Sequence, residues 1–208
     1  MMRGKFITME GGEGAGKSTM MGRVAEWLKT AGYEVVTTRE PGGTVLAEKL
    51  RNVLLDRENN ALSGQAELLL LFAARSQHLA ELIRPELARG HCVLCDRFTD
   101  ATWAYQGGGR GLPLDDIETL EILVHGDLQP DLTLLLDLPV EQGLKRAGKR
   151  SEADRFEMES HPFFDRVRAA YLERAGASPE RFAVIDASGD VESVWAQIHD
   201  VLEERLEP

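Results

Sequence analysis

Gly11-Gly12-Glu13-Gly14-Ala15-Gly16-Lys17-Ser18 is an unbroken match to G-x-x-x-x-G-K-[ST], the P-loop that cradles phosphate groups. Its glycines let the backbone bend until successive N–H groups converge on phosphate oxygens. The lysine adds charge at the outer phosphates, and the hydroxyl can take a place on Mg²⁺. The flanks supply the setting this loop requires. Lys5-Phe6-Ile7-Thr8-Met9-Glu10 reads as a strand, and Lys17 to Ala31 carries Met20, Val24, Trp27 and Leu28 at helical spacing. Strand, glycine loop and helix together aim a helix N-terminus at an anion. Gly11 through Thr19 are therefore the expected triphosphate-binding residues, with Ser18 as a metal ligand.

Outward from this loop the chain alternates. Strands are expected at Glu34 to Thr38, His91 to Asp96, Asp131 to Asp137 and Phe182 to Asp186. Helices are expected at Val45 to Leu55, Ser63 to Arg89, Pro113 to His125, Pro139 to Lys149, Pro162 to Ala175 and Val191 to Leu206. Gly107 to Gly111 reads as a loop. Alternation with continuously apolar strands implies an α/β fold, a parallel sheet covered by helices on both faces. In such sheets ligands sit at the C-terminal strand ends. Here those ends carry Glu10-Gly11, Arg39-Glu40, Asp96-Arg97, Asp137 and Asp186-Ala187-Ser188.

Length and composition fit one globular domain, residues 1–208, without repeats or long linkers. The net charge of −11 disfavours a partner that is a nucleic-acid polymer or an anionic membrane. No apolar run has the length of a span, and Met1 to Gly12 lacks the shape of a signal peptide, so a cytoplasmic location is expected. Cys92 and Cys95 share one expected strand; residues three apart point to opposite faces, which argues for core packing rather than a disulfide or a metal pair.

A P-loop alone says only nucleoside triphosphate. The Asn/Thr-Lys-x-Asp motif that reads guanine is missing. Asp96 ends an apolar strand, where a carboxylate linked to Mg²⁺ is expected, and Arg97 beside it could hold the phosphate of an acceptor or simply pair within the loop. Lys145 to Arg155 holds five basic and two acidic residues in an otherwise acidic chain. The P-loop itself offers no arginine for charge developing on the transferred phosphoryl group, so a cation is needed from elsewhere.

M-E-G-G-E-G-A-G-K-S, R-E-P-G-G-T, L-F-A-A-R, D-R-F and A-Y-Q-G-G-G-R-G, in that order, resemble bacterial thymidylate kinase, a nucleoside monophosphate kinase family. The resemblance implies transfer from ATP to dTMP with Mg²⁺, a five-stranded parallel sheet, a mobile lid near residues 145–155 and a homodimer. It implies catalytic roles for Lys17, Glu13, Arg97 and Arg150. Arg146 and Arg155 would support the lid, Arg146 on the ATP side. Around dTMP it implies Glu40, Arg51 and Arg97 near the monophosphate and metal, Phe72 stacked on the base, Arg75 hydrogen-bonding it, Thr102 and Gln106 in contact with it, and Tyr105 crowding the sugar's 2′ position. Phe72 could equally be core, and Tyr105 could equally pack the loop. Asp186 to Gly189 resembles an adenine loop or is a plain turn. Two rivals share the P-loop: a kinase for another small acceptor such as dUMP, and a nucleotide-binding switch.

Overall fold

In the computed structural model, which describes residues 4–59, 61–148 and 155–206, the five apolar runs become parallel strands. They are β1 (Phe6–Gly11), β2 (Val35–Arg39), β3 (Cys92–Asp96), β4 (Leu132–Asp137) and β5 (Phe182–Asp186), in spatial order β2-β3-β1-β4-β5. Parallel register aligns Met9 with Asp96 and with Leu134, and Arg39 with Asp96. The three chemically loaded strand ends thus meet on one edge. From central β1 the chain goes to one side for β2 and β3, then crosses over β1 to β4 and β5 on the other, leaving a crevice above the C-terminus of β1.

Alternation along each strand builds the three layers. Ile7, Met9, Leu94, Leu134 and Leu136 face helices α1 (Lys17–Thr30) and α9 (Val191–Leu206), which contribute Val24, Leu28, Ile198 and Leu202 to that core. Phe6, Val93 and Cys95 face the opposite way, onto Leu79, Ile83 and Leu87. Cys92 lies in the first cluster and Cys95 in the second, both as free thiols. Burial pushes the Cys92 thiol up to about 12 and the Cys95 thiol well above its ordinary value, so both pack as neutral apolar groups.

Helix α2 (Val45–Leu55) begins at Thr44, whose hydroxyl accepts the Ala47 N–H at 3.3 Å; α3 (Gly64–His78) begins at Ser63, which accepts from Ala66 at 3.2 Å. The long helix expected from Ser63 to Arg89 runs on through a widened turn, Leu79–Ile83, into α4 (Arg84–Ala88). Pro85 has no N–H to return to residue 81, and the helix loosens just before it.

One expectation is corrected. Gly107 to Gly109 do not form a loop: α5 (Thr99–Thr102) continues as a wide π turn through Trp103–Gly109. The glycines serve close packing against α8 (His161–Ala177). A Cβ on Gly108 would sit 2.6 Å from the Ala170 methyl, and one on Gly109 would sit 2.5 Å from the Phe163 ring. Arg166 on α8 donates to the Gly109 carbonyl at 2.7 Å, satisfying the end of the turn. Helices α6 (Leu114–His125) and α7 (Val140–Ala147) complete the set. No helix among the described residues is long and apolar enough to cross a membrane.

Candidate active site

A cavity of about 310 Å³ opens at the C-terminal strand ends, within the size range of small-molecule sites. One wall is the P-loop, Glu13 through Ser18; the other carries Glu40, Arg51, Arg75, Thr102, Tyr105 and Gln106, with Asp96 and Arg97 between them. Residues far apart in sequence thus face one space, as the motifs led one to expect. Gly11, Gly12 and Thr19 form the P-loop's ends rather than the cavity lining.

Lys17 folds back over its own loop, donating to the Gly11 and Gly12 carbonyls at 3.0 and 3.2 Å. Burial, then the nearby Arg97 cation, holds its pKa below the ordinary lysine value. Glu13 is the odd charge in a loop built for anions. Its Oε1 accepts from Arg97 Nη2 at 2.8 Å and from the Tyr105 hydroxyl at 2.7 Å. Burial alone would raise the Glu13 carboxyl, but Arg97, Lys17 and the Tyr105 bond outweigh it and leave the pKa lowered. The carboxylate is therefore ionised, and it ties the P-loop to the opposite wall.

Gly14 brings the loop against α7. It has φ 69°, and a Cβ there would overlap the Gly143 carbonyl; a Cβ on Gly143 would overlap the Glu13 carbonyl. The two backbones touch because neither residue has a side chain. Further along α7, Arg146 donates to the carbonyls of Ala187 and Ser188 at 2.8 and 2.9 Å. This joins the helix to the loop after β5.

The other wall rests on a buried ion pair. Arg75 Nε donates to Glu40 Oε2 at 2.6 Å, and each side chain is 3% exposed. His78 Nδ1 lies 3.0 Å from the other Glu40 oxygen. Arg75 Nη2 reaches Thr102 Oγ1 at 3.0 Å, while its buried Nη1 has no partner among the described residues. A guanidinium held this firmly beside the cavity, with donor capacity left over, suits recognition of a carbonyl. Arg51 donates to the Pro41 carbonyl at 2.8 Å and lines the same cavity.

Phe72 lies beneath Arg75. It packs with Leu68 and Ile117, outside the cavity lining, and the Arg75 guanidinium lies 4.9 Å from its ring centroid. Leu71 lines the cavity instead. On a helix the residue that shares Arg75's face most closely lies four positions back; three-residue spacing put Phe72 beneath the arginine rather than beside it.

Gln106 lines the cavity and donates to Glu67 Oε1 at 2.8 Å. Glu67 is fully buried and also takes Arg110 Nε at 2.8 Å and Arg155 Nη2 at 2.5 Å. Arg155 donates further to the Leu54 carbonyl at 2.8 Å. It is anchored between the end of α2 and the start of α3 and does not line the cavity. Arg150 lies outside the described residues. The motifs passed over Glu67, although a carboxylate inside Ala66-Glu67-Leu68-Leu69-Leu70-Leu71 is a signal of its own. Pro41 and Phe98, inside the motifs but given no role there, also line the cavity, as does Phe156 outside them; Tyr171 was hidden by its distance in sequence.

For Mg²⁺ the fit is good. Asp96 Oδ1 is buried without a hydrogen-bond partner among the described residues, and Asp96 and Ser18 line the cavity together. Carboxylate and hydroxyl oxygens are the hard donors this ion prefers.

Comparison with known proteins agrees with this geometry. A family model described as thymidylate kinase matches residues 9–198. A thymidylate kinase of Pseudomonas fluorescens is 59% identical over 206 residues, 99% of this chain and 98% of that protein. One of Alcanivorax borkumensis is 56% identical over 203 residues, 98% of each chain. The crystal structure of thymidylate kinase from Ehrlichia chaffeensis superposes with a TM-score of 0.78 at 35% identity, covering 97% of this chain and 99% of that one. Full-length likeness of this strength, joined to a P-loop that shares one cavity with an acceptor wall, places the chain in the thymidylate kinase family.

Proposed function

We propose a division of labour along the cavity for a kinase that phosphorylates dTMP to dTDP with ATP. The observation that carries it is the single cavity shared by the P-loop and by Glu40, Arg75, Thr102, Tyr105 and Gln106. Gly11 through Thr19 hold the triphosphate, with Lys17 exchanging its loop carbonyls for phosphate oxygens. Arg146 supports the donor side from α7. Arg97 and Arg51 receive the acceptor phosphate, Arg75, Thr102 and Gln106 the base, and Tyr105, braced by Glu13, the sugar. Arg150 supplies the cation for the transferred group, an assignment made from the sequence. An acceptor phosphate is already an anion, so positioning and charge do the work and no general base is required. Asp96 and Ser18 would hold Mg²⁺, which when bound supplies charge neutralisation on the phosphates.

The protein acts as one domain, in the cytoplasm, as a homodimer. Support for the dimer comes from Val53, Leu69, Ile122 and Leu123, exposed apolar residues on the adjoining helices α2, α3 and α6; sedimentation would read it. A panel of nucleoside monophosphates tests the activity. ADP release that requires dTMP, with dUMP slower, is expected. Equal ATP turnover without an acceptor points to the switch, and a faster different acceptor points to the other kinase.

A further inference from the structure

Beneath the P-loop runs a chain of hydrogen bonds that no ligand assignment uses. It starts at Glu10, fully buried in β1. Glu10 Oε1 accepts the Phe98 backbone N–H at 2.6 Å, and Oε2 accepts the Tyr171 hydroxyl at 2.7 Å. The Tyr171 oxygen in turn accepts from Arg97 Nη1 at 3.1 Å. Arg97 Nη2 continues to Glu13. Glu10 therefore grips the β3–α5 turn twice: at the main chain just after Arg97, and at the Arg97 guanidinium through Tyr171.

The turn needs a grip. Arg97 has φ 66°, the one left-handed conformation outside glycine among the described residues. Tyr171 enters from α8, its ring packed with Phe163, Phe164 and Val167 and its hydroxyl committed to this chain. An arginine can only donate, so the Tyr171 oxygen accepts from Arg97 and its hydrogen is left for Glu10, whose carboxyl is pushed up to about 8 by burial.

We propose that Glu10 and Tyr171 are positioning residues that set the direction of the Arg97 guanidinium, and through it Glu13, without touching substrate. The inference rests on the reading of Arg97 as a ligand of the acceptor phosphate. It concerns orientation, so its signature is coupling rather than simple loss.

The test is a kinetic double-mutant cycle of Tyr171→Phe with Arg97→Lys, with melting curves on each variant. Tyr171→Phe keeps the ring and removes one hydroxyl. It should raise KM for dTMP about tenfold, the lower end of what a hydrogen bond to a charged group supplies, and leave KM for ATP within about twofold. In the Arg97→Lys background the same change should do almost nothing, because the guanidinium fork it aims is gone. Equal effects in both backgrounds, or no effect of Tyr171→Phe beside an impaired Arg97→Lys, would overturn the inference. A normal KM for dTMP in Arg97→Lys alone would instead overturn the reading of Arg97, and this inference with it. Should Tyr171→Phe fail to fold, Glu10→Gln gives the same cycle, since an amide facing Tyr171 reverses the hydroxyl toward Arg97.

Discussion

Replacing Glu40 by Gln changes one atom type in the buried pair, and the cost can be worked from its surroundings. Arg75 would keep only neutral acceptors, the Phe98 carbonyl at 3.3 Å and Thr102 Oγ1 at 3.0 Å. Its Nη1 already lacks a partner among the described residues. Breaking a buried pair from one side costs about 3–5 kcal/mol, because the remaining charge stays in the interior. For a domain of this size each kcal/mol is worth roughly 2–4 °C, so the melting temperature at neutral pH should fall by roughly 6–20 °C. The pH dependence has a definite sign. Burial alone would raise the Glu40 carboxyl, but Arg75 and His78 outweigh it and hold its pKa below the ordinary value. A depressed carboxyl contributes stability above its unfolded pKa and loses it as pH falls through the folded one. The gap between wild type and Glu40→Gln should be full at neutral pH and narrow in acid. Circular dichroism melts across that range decide it. A fall of under about 2 °C at neutral pH, or a gap that widens in acid, would refute the reasoning.

Lys17→Ala should lose roughly a hundredfold or more in kcat with the fold intact, through loss of a preorganised cation; near-normal turnover in a folded variant would remove the P-loop from the chemistry. Tyr105→Ala should shift kcat/KM toward ribothymidine monophosphate by about tenfold relative to dTMP, because bulk beside the sugar is removed; an unchanged ratio would leave Tyr105 as a packing residue. Gly143→Ala places a methyl against the Glu13 carbonyl. It should cost about 1–3 kcal/mol of stability and lower kcat, whereas Gly22→Ala, with open space around the new Cβ, should do neither; equal behaviour of the two would sink the contact.

The strands were legible because each is an apolar or, in β2, β-branched run ending in a charged or glycine residue, and parallel order follows from the helices between them. Gly107 to Gly109 misled because glycine signals both a turn and a close approach, and only the position of Ala170 and Phe163 tells which. The P-loop residues and the Arg75, Thr102, Tyr105 and Gln106 wall came from motifs that keep their spacing. Phe72 lies under Arg75 while Leu71 lines the cavity, because the apolar run leaves open which helical face turns outward. Tyr171 and Glu67 act on side chains 74 and 39 positions away, respectively, and local pattern carries no trace of such a meeting.

The contact between Gly14 and Gly143 makes α7 a lever without slack. With main chain against main chain, there is no rotamer to absorb a displacement. A shift at Arg146, on the carbonyls of Ala187 and Ser188, passes along the helix into Glu13. From there it reaches Arg97 and Tyr105 through bonds of 2.8 and 2.7 Å. The loop after β5 and the far wall of the cavity are thereby joined by one unbroken path of main chain and hydrogen bonds, so that neither can move without loading the other.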